Sequence, residues 1–209
     1  LLRPGGALLV AIENQIGLKY LLGYREDHLG LPWIGIEGYP GDHGIRTFPR
    51  RVLSRMLGAV GLPAQTWLYP FPDYKLPAVV LADALYDLDE APRLVDQLVR
   101  HPATDGAPDR SLLCDDRRAH KVLLEAGLGR EVANSFLVVA TADGSAPAFL
   151  PDPGVLAWHL GGDRRRAWRR TLELRSSSTG LTIRSFGGGS AATPHREGWL
   201  DHDPANDER

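Results

Sequence analysis

The sequence predicts a mixed α/β fold, and three observations carry that prediction. Ala7 to Ile12 is almost wholly apolar, as in a strand covered on both faces inside a parallel sheet. The stretch "RTFPRRVLSRMLGAVGLP" then has the punctuation and spacing of an amphipathic helix. Farther on, "RRTLELRSSSTGLTIRSF" alternates about a tight turn, as an antiparallel hairpin does.

Taken in order, Pro4, Gly5 and Gly6 form a breaker cluster suited to a turn between a helix end and a strand. A strand of this kind is rarely first in its sheet, so the chain is expected to begin inside a domain. Glu13 to Arg46 is polar and glycine-rich, and loops of that length in compact domains are usually functional. The helix that follows has Thr47 as a cap and Pro49 in its first turn. Val52, Leu53, Met56, Leu57 and Val60 fall on one face, and Gly61 and Pro63 end it. "AQTWLYPFPDY" reads as an aromatic strand that leaves its sheet after Tyr69, because Pro70 and Pro72 cannot donate to a ladder. Trp67, Tyr69 and Phe71 alternate as one buried face. Next come an extended "KLPAVVLAD", a helix around Pro92 to Arg100, a loop from His101 to Arg110, and a helix from about Leu113 stopped by Gly127. "NSFLVVATA" and "GVLAWHL" are further strands.

With 43% hydrophobic and 24% charged residues the 209-residue chain is ordinary globular material. A net charge of -2 gives no reason to expect nucleic acid as a partner, and no apolar stretch approaches a membrane span. Cys114 is the single cysteine, which excludes an intrachain disulfide and fits a cytoplasmic location.

"LLRPGGALLVAIEN" resembles the part of class I S-adenosylmethionine-dependent methyltransferases where a helix ends, a Pro-Gly-Gly turn follows and the fifth strand begins. The longer run "IENQIGLKYLLGYREDHLG", with "GIEGY", "RTF" and "YPFPDYKLP", is similar to a narrower set. These are bacterial methyltransferases associated with glycosyltransferases and surface polysaccharide synthesis. "ANSFLVVATA" resembles their final antiparallel strand. The resemblance implies an incomplete Rossmann-like sheet, the C-terminal half of the domain, over residues 1–142 with an insertion at about 73–132. An antiparallel β extension over 143–186 and a flexible tail over 187–209 would follow. The family's glycine-rich turn after its first strand and its ribose-binding acid have no counterpart here. The main S-adenosyl-L-methionine site is therefore expected upstream of Leu1.

Methyl transfer asks the protein to align an acceptor and remove its proton. Ligands of open α/β sheets bind beyond strand carboxyl ends, which puts Glu13 and Asn14 beside an acceptor, unless they merely cap the turn. In "REDHLG", His28 is the best general base and Glu26 and Asp27 flank it; the same run could be a solvated turn. Lys19 and Tyr20, and Asp73, Tyr74 and Lys75 in "DYKLP", are the further substrate-binding candidates. No metal is expected, since no spacing aligns Asp27, His28, Asp42 and His43 on one face. Five arginines from Arg164 to Arg170 could bind phosphate, but one short basic run is most often a solvated face. The expected function is O- or N-methylation of a small-molecule or saccharide acceptor by an enzyme of which this chain is part, inactive alone. The alternative is a non-catalytic glycan- or protein-binding module.

Overall fold

The computed structural model describes residues 2–41, 44–103, 113–144, 147, 150, 152–161, 169–178 and 180–186. Seven strands form one sheet: β1 (Ala7–Glu13), β2 (Ala64–Phe71), β3 (Val79–Ala82), β4 (Ser135–Thr141), β5 (Val155–Leu160), β6 (Thr171–Ser177) and β7 (Gly180–Phe186). Their order is β1-β4-β2-β3-β5-β6-β7. The helices are α1 (Leu18–Leu21), α2 (Arg50–Ala59), α3 (Ala91–Leu98), α4 (Asp116–Glu125) and α5 (Gly129–Val132), with a 3-10 turn at Asp83–Asp87. No helix among the described residues is long and apolar enough to cross a membrane.

The mixed α/β class matches the sequence, but the parallel sheet does not form. Every pair of neighbouring strands is antiparallel, β1 with β4 included. The opening strand is also not covered on both faces, since Leu9 and Ala11 are exposed. Small and aliphatic residues satisfy an apolar pattern whether or not something lies over them, so the pattern alone misjudged the cover.

The punctuation of α2 was legible, its buried face less so. Leu53 and Leu57, four residues apart, enter the core, whereas Met56 and Val60 are 45% and 72% exposed. The rows 53/57 and 52/56/60 lie about 100° apart on a helix, and one of the two meets the core. Nor does Thr47 cap the helix: its hydroxyl bonds the Tyr39 hydroxyl at 2.6 Å, and Pro49 holds the cap position.

The prolines of β2 act on one side only. Pairing with β4 stops at Leu68 opposite Leu137, but pairing with β3 runs on through Pro70 and Phe71. Proline lacks a donor toward one neighbour and keeps its carbonyl. Trp67, Tyr69 and Phe71 are buried as expected, with Trp67 and Tyr69 edge-on to Phe136 at 5.3 and 6.1 Å. Beyond β3, β5 to β7 continue the same sheet.

His120 lies on α4, 1% exposed, 5.5 Å from the Phe71 ring, and its Nε2 has no partner among the described residues. Burial pushes its pKa down to about 4, with the Asp96 charge opposing. The unfolded chain therefore takes up a proton at this residue that the folded chain refuses, between about pH 6.5 and 4. Stability is expected to fall through that window as pH falls, by up to roughly 3 kcal/mol from this residue. Urea unfolding of the protein and of His120→Phe over that range checks it, since the variant should lose this slope.

Candidate functional site

The site forms where β1 ends. Glu13 is the last residue of the strand and only 2% exposed. Directly after it the chain is pinned by two asparagines. Asn14 donates through Nδ2 to the Glu131 and Ala133 carbonyls, both at 2.7 Å, and its backbone N–H reaches the Asn134 carbonyl at 2.9 Å. Asn134 accepts the Lys19 N–H at 2.9 Å through Oδ1 and donates through Nδ2 to the Pro72 carbonyl at 2.9 Å and to the Pro102 carbonyl. Four separate segments are thereby held together. Gly17 fits between them because a Cβ there would stand 2.9 Å from the Asn134 Cα.

This frame turns α1 so that Lys19 points inward. Its Nζ lies 3.0 Å from Asp73, 3.6 Å from Glu13 and 3.7 Å from Asp27, with a side chain 7% exposed. Lys75 arrives from the β2–β3 loop, where Asp73 Oδ1 accepts its backbone N–H at 2.8 Å. Its ammonium donates to Glu13 Oε1 at 2.9 Å and to Asp27. Lys19 also sits 4.8 Å from the centre of the Tyr20 ring, and Lys75 5.6 Å from that of Tyr74.

The turn carrying the third carboxylate is organised by Glu26. Its Oε2 accepts the backbone N–H groups of His28 at 2.9 Å and Leu29 at 2.7 Å, while its own N–H and C=O bond Leu31 and Gly30. His28 projects from this turn, exposed. One donor atom each from Glu13, Glu26 and His28 falls within 4.8 Å of the others, and the same is true of Glu13, Asp27 and Asp73.

Electrostatics separate the carboxyls. Burial raises the pKa of Glu13, a hydrogen bond with Asp27 adds to this, and Lys75 and Lys19 oppose it. Asp27 is disfavoured by burial too, yet its hydrogen bonds to Glu13 and Lys75 and the charges of both lysines bring it down to about 2. The lysine hydrogen bonds and the surrounding acids hold Lys75 charged well above the usual range, against the pull of burial. A carboxyl that binds a proton readily thus stands against one that stays ionised, with a fixed cation touching both.

The catalytic and substrate-binding candidates, Glu13, Asn14, Lys19, Tyr20, Glu26, Asp27, His28, Asp73, Tyr74 and Lys75, lie in or against this cluster. Their roles differ, however: the amide of Asn14 and one oxygen of Glu26 hold the frame, whereas Glu13, Lys19, Asp27, Asp73 and Lys75 face one another. Asn134 went unnoticed, because an asparagine ahead of a strand reads as an ordinary turn residue. Asp42 and His43 lie outside the described residues, as do Arg164, Arg165 and Arg166 of the basic run. No family model, curated protein or solved structure matches the chain.

Proposed function

We propose that the chain supplies the acceptor side of an S-adenosylmethionine-dependent methyltransferase acting on oxygen or nitrogen of a small-molecule or saccharide acceptor. The observation that carries this reading is the Glu13–Asp27–Lys75 arrangement at a strand's carboxyl end, where a proton acceptor and an orienting ion pair stand together. Glu13 or the neighbouring His28 takes the acceptor's proton, while Lys75, Asp73 and Tyr74 orient it. Strand β4 lies antiparallel between β1 and β2, which run the same way. Strand β1 has a second edge with no partner strand among the described residues, and Leu9 beside it is 53% exposed. Elements carrying the cofactor would pair there.

Saturation-transfer NMR against neutral and amino saccharides tests the acceptor site. Contacts are expected that disappear in Glu13→Gln and Lys75→Ala; silence across the panel removes the reading. Calorimetry with S-adenosylmethionine tests the division of labour, because micromolar binding would put the cofactor site within this chain. The uninterrupted antiparallel sheet favours the second reading, a non-catalytic glycan- or protein-binding module. In that case saccharide binding would survive Glu13→Gln.

A further inference from the structure

We infer that Glu13, Glu26 and His28 form a binding site for one first-row divalent cation, a site that does not depend on the methyl-transfer reading. The three donor atoms stand within 4.8 Å of one another. Around an ion with bonds of about 2.1 Å, ligand atoms sit roughly 3–4 Å apart, so a small inward movement completes the chelate.

Among the described residues, two buried polar atoms at this place lack the partners that buried groups normally have. Glu26, 2% exposed, has Oε2 occupied by two backbone N–H groups and Oε1 without a partner among the described residues. Tyr20, 3% exposed, has a hydroxyl without a partner among the described residues, raised in pKa by burial and by the surrounding charges of Glu13, Asp27, Glu26 and Asp73. An unsatisfied buried carboxylate oxygen beside a second carboxyl is costly. A cation removes that cost, and the phenol oxygen can accept from a water the cation carries.

The charges leave room for it. Four carboxylates, Glu13, Glu26, Asp27 and Asp73, face two ammoniums, Lys19 and Lys75. The Lys19 ammonium is engaged with Glu13, Asp27 and Asp73 and that of Lys75 with Glu13 and Asp27, so the protein itself offsets two of the three carboxylates of the second acidic triad. The Glu26 oxygen is reached by neither. Two carboxylates and an imidazole suit manganese or zinc better than calcium or magnesium, which prefer all-oxygen shells. Exposed His28 provides the entry path and leaves coordination positions open to water.

Manganese chloride alone is the probe. Calorimetry of the whole chain in metal-free buffer, followed by the electron paramagnetic resonance of free manganese, should give one ion per chain, with a dissociation constant on the order of 10 µM, at least about tenfold tighter than magnesium. His28→Ala and Glu26→Gln should each weaken binding about tenfold or more. His28 is exposed, so its variant keeps the fold even if Glu26→Gln does not, and circular dichroism checks both. Absence of manganese binding at millimolar concentration overturns the inference. So does binding that His28→Ala leaves unchanged.

Discussion

Lys19→Met is expected to lower folding stability by about 3–5 kcal/mol near pH 8 and by clearly less near pH 5. Methionine preserves most of the side chain's volume, so the loss comes from charge and not from a cavity. The lysine ammonium lies within 3.7 Å of Glu13, Asp27 and Asp73 and is almost fully shielded from water. Without it the cluster holds one cation for three carboxylates, one of which is 2% exposed. Glu13 responds by holding its proton more tightly, and it is already shifted upward by burial. A carboxyl with a folded pKa above its unfolded value adds stability at low pH and loses it as pH rises. The deficit must therefore grow from about pH 5 to pH 8. Lys75→Met is the comparison: that side chain is 50% exposed, where water screens the charge, and its loss should cost only about 1 kcal/mol. Urea unfolding of both variants at the two pH values decides it. Equal costs for the two lysines, or a Lys19 deficit that ignores pH, would show that the cluster is not the buried ionic centre described.

Much of this was legible in the residues, and the misses share a physical cause. Helix stops and strand positions are legible: Gly61 with φ 84° closes α2, Gly127 follows the end of α4, and "NSFLVVATA" is β4, whereas the starts are less so, since α4 begins at Asp116 behind an Asp115 cap and not at about Leu113. These depend on a few adjacent residues. The direction of β1 could not be read the same way, because pairing partner and cover are chosen by residues more than a hundred positions away. The site was legible for a related reason. Glu13 marks a strand end, the "REDHLG" and "DYKLP" runs mark loops, and charged residues placed in loops have few structural duties elsewhere. The frame that gathers them was not legible, since its hydrogen bonds run from side-chain amides to distant backbone carbonyls. Asn14 to Ala133 and Asn134 to Pro72 leave no periodicity in the sequence.

That frame leads to the second large effect, Asn134→Ala, expected to cost about 3–5 kcal/mol. Asn134 is 0% exposed, and its amide satisfies the Lys19 N–H and the carbonyls of Pro72 and Pro102. Alanine removes the Asn134 partner of all three backbone groups, the Lys19 N–H and the Pro102 carbonyl buried and the Pro72 carbonyl part-buried, each loss worth about 1–3 kcal/mol with incomplete relief from any water that enters. The consequence is local as well as global. The Lys19 N–H and the Pro72 carbonyl belong to the two segments that carry Lys19 and Asp73, the pair joined at 3.0 Å. Loosening both ends of that pair should misalign the acidic cluster even in molecules that remain folded. Asn134→Asp separates the two halves of the role. Aspartate still accepts from the Lys19 N–H but turns an oxygen toward the two carbonyls, so it should destabilise nearly as much as alanine. If Asn134→Asp were as stable as the parent, the donor half would be dispensable and α1 alone would hold the site. Hydrogen exchange at the Lys19 amide provides the local readout: protection should be lost in Asn134→Ala and retained in part in Asn134→Asp.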